Sequence, residues 1–395
     1  MKIHSLYLFL VLFVVGCTAT PVPIAPTRVQ EATATLVSAV PTTVGELPAT
    51  ATQIAPSPES PTATAIVASP TATPTRPPAT VSPTRSGPAP TRVTLTPLPE
   101  QTSADGRQWY VRTLLVGPGQ PSRLYALIAA LADDVNPAAA LSVVQSDDAG
   151  ASWTPTLSAF PVEPACVRRL NMDYASAGAL YLSTCRGLYR WTDGAWKQLS
   201  SVDLNMVAIV YGHPQTLWAA TNGDPASPVS MSNDGGVTWH SAANGLVHFS
   251  GVADVGIDPR NSDTLYAIIV PKYAGTYLRR GTASGNWTSM PAPLNDSQID
   301  TGMTIDGQTG ALYVSVFNKD HWELWRTLNP AVSDVNSVTW EMVHNFAGYS
   351  WLTVLASGTG PQGLTLYVRV MQTHGMPIVL RSLDQGQTWT PLRVQ

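Results

Sequence analysis

Charge is the first thing this chain of 395 residues is short of. Asp, Glu, Lys and Arg make up 12% of it, with 22 basic residues against 26 acidic ones and a formal net charge of −4. Globular domains usually carry about 25%. No Lys/Arg cluster stands out, which argues against nucleic acid as a partner. Cysteine is almost missing, at three residues, and the seven histidines are scattered. Neither Cys-x-x-Cys nor His-x-x-x-His spacing occurs, so no metal site and no cofactor are expected. Beyond residue 106 the only glutamates are Glu163, Glu323 and Glu341. Hydrolysis of a glycosidic bond by the usual route needs two convergent carboxylates, and no such pair is recognisable. A sustained 3.6-residue period is also absent from this region, which leaves short strands as the building material.

Proline is plentiful, at 34 residues, but crowded toward the N-terminus. Lys2 followed by the apolar run Leu6 to Val15 reads as an export signal, too short to span a bilayer comfortably. Its end, Val14-Val15-Gly16-Cys17, resembles a bacterial lipobox. That resemblance implies that Cys17 carries lipid and that membrane lipid is a partner, with the chain held outside the cell. An ordinary cleaved signal is the alternative reading. Residues 18 to 105 contain no aromatic residue and repeat Pro-Thr at Pro26, Pro41, Pro61, Pro70, Pro74, Pro83 and Pro90. Such a composition buries too little apolar area to offset its ordering entropy and is expected to form a disordered stalk. Extended at about 3.1 Å per residue, its outer reach is on the order of 250 Å.

From residue 106 to 395 the chain repeats itself. Three stretches share Ser-x-Asp-x-Gly-x-x-Trp: Ser146, Asp148, Gly150 and Trp153; Ser232, Asp234, Gly236 and Trp239; Ser382, Asp384, Gly386 and Trp389. Worn copies end at Trp196, Trp287 and Trp340, so the tryptophans recur every 43 to 53 residues. Upstream of each lies a leucine–aromatic pair: Leu124-Tyr125, Leu180-Tyr181, Leu217-Trp218, Leu265-Tyr266, Leu312-Tyr313 and Leu366-Tyr367. A fixed period of this size is the mark of a repeat architecture. Four short strands per repeat predict an all-β propeller of four-stranded antiparallel blades. The third blade is placed at Met206–Tyr211, Thr216–Thr221, Pro228–Ser232 and Val237–His240. Six blades are expected; Gln108 to Arg112 reads as one further outer strand, which leaves seven open.

The repeated turn resembles the Asp-box of the sialidase-like (BNR) repeat family. Within the turn, the Ser and Asp side chains suit local backbone hydrogen bonds, and Gly permits positive φ. Six copies around a ring cannot converge on one catalytic centre. The resemblance implies a fold shared by sialidases, xyloglucanases, sorting-receptor ectodomains and photosystem assembly factors, and fold does not choose among them. Sialidase-like activity would require an arginine triad, a Tyr nucleophile assisted by Glu, and an Asp acid/base. The early Arg-Ile-Pro motif of those enzymes is absent, and the arginines available (Arg168, Arg169, Arg186, Arg279, Arg280) have no recognisable catalytic context. The expectation is therefore a monomeric, non-enzymatic binding or scaffold module for a glycan or protein. A sialidase-like glycoside hydrolase or an assembly factor for a membrane complex is the alternative.

Two placements follow. A hairpin turning around Tyr174 to Ala179 sets Cys166 nearly opposite Cys185, and an oxidising compartment would let them form a disulfide. In a four-stranded blade, the loop joining second to third strand and the blade-to-blade connection open on the same face. In the fifth repeat these bring Asp320, His321 and Trp322 toward Phe346, Tyr349 and Trp351, a candidate ligand-binding cluster. The alternative is that these aromatics cap the core between blades five and six.

Overall fold

A computed structural model describes residues 108–394, apart from 131–139, 158, 175–177, 222–226, 247–250, 272–274, 295–297, 361–362 and 373–374. Cys17, the stretch read as an export signal and the Pro/Thr-rich segment lie outside the described residues.

Strand follows strand in chain order, and each set of four pairs antiparallel with its sequence neighbours to form one sheet. Blade 1 holds β1 (Trp109–Gly117), β2 (Gln120–Ala130), β3 (Ala140–Ser146) and β4 (Thr154–Leu157). Blade 2 holds β5 (Val167–Asp173), β6 (Ala179–Thr184), β7 (Gly187–Thr192) and β8 (Ala195–Ser200). Blade 3 holds β9 (Leu204–Val210), β10 (His213–Thr221), β11 (Val229–Ser232) and β12 (His240–Ser241). Blade 4 holds β13 (Gly251–Asp258), β14 (Asn261–Val270), β15 (Tyr277–Thr282) and β16 (Trp287–Ser289). Blade 5 holds β17 (Gln298–Ile305), β18 (Leu312–Asn318), β19 (His321–Thr327) and β20 (Glu341–Phe346). Blade 6 holds β21 (Trp351–Gly360), β22 (Gly363–Met371), β23 (Ile378–Ser382) and β24 (Thr390–Leu392). The protein is a six-bladed β-propeller.

Two expectations shift. Trp109 to Arg112 do not form an extra outer strand: they open β1, the innermost strand of blade 1. In blade 3 the last strand begins at His240, not Val237, because Val237 and Thr238 are still inside the turn and donate their backbone N–H groups to Asp234.

Each leucine–aromatic pair sits on a second strand. All six leucines are buried, as is every aromatic except the half-buried Tyr125. Burying one such side chain stabilises the fold by about 1.5–3 kcal/mol. Because strand side chains alternate, each blade shows one apolar set to each neighbour. The result is six separate cores, one per interface between blades. Trp218 and Trp287 meet between blades 3 and 4, while Tyr313 packs with Leu366 between blades 5 and 6. The ring closes the same way: Val116 and Leu124 of blade 1 pack with Ala356, Tyr367 and Leu392 of blade 6. No strand is exchanged across this junction. Its backbone contacts are made by side chains, Trp153 Nε1 donating to the Arg393 carbonyl at 2.8 Å and Arg381 Nη1 to that of Ala149 at 2.5 Å.

The three full turns repeat one geometry. Ser146 Oγ donates to Asp148 at 2.7 Å and accepts from Gly150 N at 2.8 Å, while Asp148 accepts from Ser152 N at 2.9 Å. Ser232, Asp234, Gly236 and Thr238 match this at 2.8, 2.8 and 2.9 Å. Ser382, Asp384, Gly386 and Thr388 do so at 2.7, 2.7 and 2.9 Å. The fifth repeat keeps the chemistry with other side chains, Thr327 Oγ1 donating to Asn329 at 2.9 Å. Gly150, Gly236 and Gly386 have φ of 90°, 94° and 93°. A Cβ there would also strike the preceding blade, at Leu392, Leu188 and Val343 respectively. Glycine is thus fixed twice, by backbone conformation and by the approach of a neighbour.

Cys166 and Cys185 are joined by a disulfide, with Cα atoms 5.0 Å apart, and Cys185 N also donates to the Cys166 carbonyl at 2.9 Å. No helix among the described residues is long and apolar enough to cross a membrane.

Candidate functional site

The predicted cluster in blade 5 divides between core and surface. β19 starts at His321, so Trp322 is already inside a strand, pointing into the core between blades 5 and 6 with Phe346 and Tyr349. These three are 9%, 3% and 6% exposed. They are core side chains and do not offer faces to a ligand. Trp322 Nε1 donates to the Ser350 carbonyl at 3.0 Å. Trp351 packs against the same core, donates Nε1 to Asp300 at 3.1 Å and lies 4.6 Å below the Arg369 guanidinium. Asp320 and His321 do face outward. His321 is held between Asp320 (Nδ1, 2.8 Å) and the buried Glu323 (Nε2, 2.8 Å), and those two hydrogen bonds raise its pKa against the lowering effect of burial.

The box-turn acids belong to three different blades and are each bound within their own turn. Hydrogen bonds from Ser152 hold the Asp148 carboxyl well below the ordinary range, and those from Thr238 do the same for Asp234. Such a carboxylate is a poor proton donor or acceptor near neutrality. Among the described residues, the His/Cys/Asp/Glu group with ligand-like spacing is Glu163, Cys166 and Cys185, and its sulfurs are tied in the disulfide.

What the sequence did not reveal is a funnel on the propeller axis. The innermost strands of all six blades line one cavity of about 530 Å³. They all run in the same direction, and the lining begins midway along each, at Leu114, Arg169, Met206, Asp254, Met303 and Leu355. From there it extends to the turns joining first and second strands, so the cavity opens on the face that carries the box turns. The candidate cluster lies on the opposite face.

Arg169 and Asp254 form the floor. Arg169 reaches from blade 2 to blade 4, with Nη1 3.3 Å and Nη2 3.4 Å from the carboxylate oxygens. Asp254 also accepts from Met303 N of blade 5 at 3.0 Å. Its side chain is 3% exposed and that of Arg169 28%. Burial pushes the Asp254 carboxyl above its ordinary range, and the guanidinium opposes that shift. Both residues adjoin register shifts in their strands, between Val167 and Arg169 in β5 and between Val252 and Asp254 in β13. A bulge re-aims side chains, and here the two charges project inward from strands whose neighbours face the blades.

Above the floor, Asp306 is the one charged side chain of the lining. Thr304 and Ser357 hydroxyls meet at 3.0 Å. Asn171 is buried between Ser183 and the backbone of Val207. Asp306 is buried and bound by Thr309 and Thr359, whose hydrogen bonds hold its carboxyl below the ordinary range against burial. At the rim, Tyr174 of blade 2 and Tyr211 of blade 3 are 42% and 56% exposed. Below the floor, Arg112 and Arg369 each donate to a backbone carbonyl of the next blade. Arg112 Nη2 donates to the Val167 carbonyl at 2.8 Å and Arg369 Nη1 to that of Val111 at 2.9 Å, stitching blade 1 to blade 2 and blade 6 to blade 1. Burial lowers the Arg369 pKa to about 10.

The other arginines do not join them. Arg168 faces Asp203 at 3.5 Å, Arg186 lies on the surface 3.7 Å from Glu163, and Arg280 donates to the Pro330 carbonyl at 3.1 Å.

No protein-family model matches this chain, and no curated protein does. The link to the Asp-box family remains a resemblance of the turn sequences. Among solved structures, the chain is similar to a GH74 xyloglucanase from Xanthomonas campestris at 16% identity and TM-score 0.48, covering 72% of this chain and 46% of that one. It is also similar to AofleA from Arthrobotrys oligospora, at 10% identity and TM-score 0.45, covering 73% and 90%. An oligogalacturonate lyase in complex with manganese gives 8% identity and TM-score 0.48, covering 74% and 82%. The chain spans less than half the length of that xyloglucanase. At these identities and scores the likenesses carry no argument about function.

Proposed function

We propose that this protein is a non-enzymatic binding module that receives the end of a glycan or peptide in its axial funnel. In this reading it is held at a bacterial cell surface by lipid on Cys17 and raised on the Pro/Thr-rich stalk. The observation that supports it is the axial cavity lined by all six blades. A pocket of about 530 Å³ falls in the usual range for small-ligand sites, and a lining that reaches inward to the level of the Arg169–Asp254 pair suits the end of a chain better than its middle. Binding is favoured over hydrolysis because Asp254 and Asp306, the carboxylates that line the funnel, are buried with their oxygens engaged.

The test is to fill the funnel. Ser357→Phe places a ring in the cavity from a half-buried position on β21. Binding to immobilised glycan and peptide libraries should drop at least tenfold while the melting temperature is kept. Undiminished binding by a folded Ser357→Phe protein would place the site elsewhere.

A further inference from the structure

We propose that the unit seated in the funnel is the neutral, polyhydroxylated terminal ring of a glycan, an assignment that rests on the funnel being the binding site. Charge decides against the other ends a polymer can present. The floor is an ion pair, so Arg169 is neutralised where it stands. An anionic end group, such as a uronic acid or a peptide carboxylate, would approach Arg169 only by lying beside the buried Asp254, and like charges at close range in a poorly solvated site repel strongly. The two other arginines near the axis lie below the floor, with donors committed to the Val167 and Val111 carbonyls. A cationic end meets the converse problem. Asp254 and Asp306 have their oxygens engaged by protein donors, and Arg169 is the charge that reaches the cavity most openly.

What the funnel does offer is neutral hydrogen bonding. A guanidinium has five N–H donors, and the bonds of Arg169 to Asp254 and to Met206 Sδ leave some for a ligand oxygen. The Thr304 and Ser357 hydroxyls each keep capacity beyond their mutual bond, and either can donate or accept. Sugar hydroxyls do both as well, so donors and acceptors along these walls can be matched without transferring charge. At the mouth, Tyr174 and Tyr211 stand on adjacent blades with large exposed aromatic surfaces. Aromatic residues combine broad apolar faces with a polar tip, the complement of a pyranose ring, whose axial C–H face is apolar and whose edge is hydroxylated. An apolar ligand would use the tyrosines but leave the remaining donors and acceptors of Arg169 and the hydroxyls desolvated without a partner, which costs affinity.

The experiment uses the intact protein and methyl glycosides of glucose, galactose and mannose, each with short neutral oligomers, against glucuronic and galacturonic acid and short peptides. Binding is followed by titration calorimetry. At least one neutral series should bind more tightly than its uronic counterpart by tenfold or more. Tyr211→Ala should weaken it about tenfold, and Tyr211→Phe should restore it to within about twofold, since the ring face is what is used. Tyr211 is exposed, so neither change threatens folding, and an unchanged melting temperature verifies this. Tighter binding of uronic acids or peptides that Ser357→Phe abolishes overturns the neutral-sugar assignment and leaves the funnel reading standing. Failure of every neutral sugar at millimolar concentration overturns the assignment too. Sugar binding that both Tyr211→Ala and Ser357→Phe leave intact overturns the assignment and the funnel together.

Discussion

Replacing Gly236 with alanine isolates what holds one blade against the next. Two separable terms act at this position. Its φ of 94° lies where an L-residue is strained by about 1–2 kcal/mol. The added Cβ would also come within 2.7 Å of Leu188 Cδ2. Leu188 is fully buried in the core between blades 2 and 3 and has nowhere to swing. Overpacking of this kind costs about 1–3 kcal/mol, so Gly236→Ala should lose about 2–5 kcal/mol in total. Its neighbour Gly235 supplies the control. There φ is 79°, but the nearest atom to an added Cβ is Gln215 Oε1 at 2.9 Å, the end of a flexible side chain. Gly235→Ala should therefore show the backbone term alone. Urea unfolding followed by tryptophan fluorescence, with matched m-values, measures both. Repeating Gly236→Ala in a Leu188→Ala background should bring its cost down to that of Gly235→Ala, a coupling of about 1–3 kcal/mol. Equal costs for the two glycines in the native background, or a Gly236→Ala penalty that ignores Leu188, would refute the argument that the box-turn glycine is a contact between blades.

Other consequences can be measured in the same way. Removing the disulfide as Cys166→Ser with Cys185→Ser frees a loop of 19 residues and should cost about 3 kcal/mol by chain entropy; denaturation midpoints that match the native protein would show the link to be dispensable. Trp239→Ala should cost about 2–3 kcal/mol, below the value for a fully buried tryptophan, because the ring is half-buried and its Nε1 bonds only its own turn at Gly236; a neutral substitution would mean the ring does not pack against blade 2. The lowered pKa values of Asp148 and Asp234 set an acid limit. Their contribution is complete above the unfolded carboxylate range and is lost as pH falls below about 4 toward the depressed folded values. Stability measured from pH 6 to pH 2 should decline, and a protein with Asp148→Asn and Asp234→Asn should decline less steeply. Finally, Cys17→Ala should abolish palmitate labelling and detergent partitioning; labelling that survives in this variant excludes lipid at Cys17.

The blades were legible because their information is local. A box turn closes on itself within seven residues, so Ser382, Asp384 and Gly386 declare their geometry wherever they fall in the chain. The leucine–aromatic pairs follow from burial on both faces of a second strand, which needs no knowledge of the neighbouring blade. β1 was misplaced for the opposite reason: Trp109 to Arg112 have the composition of any strand, and only pairing decides whether a strand lies at the rim or the axis. The blade 5 aromatics failed on register. Moving the start of β19 to His321 turns Trp322 inward, since one residue separates the two faces of a strand.

The funnel was illegible because no part of it is local. Arg169 and Asp254 are 85 residues apart, and each alone is a charge on a strand, which usually means a solvated face. The bulge that recurs in every innermost strand and the closure of the ring bring them together, and neither leaves a mark in composition. The same logic separates the two kinds of repeated residue here. The full box turns recur in blades 1, 3 and 6, so their acids are spread around the rim and satisfied where they stand. Arg169 and Asp254 occur once each and point where all six blades converge. The first strand of every blade carries a register shift at the corresponding place, so what sets β5 and β13 apart is the identity of the residue after it, Arg169 and Asp254, and not the geometry.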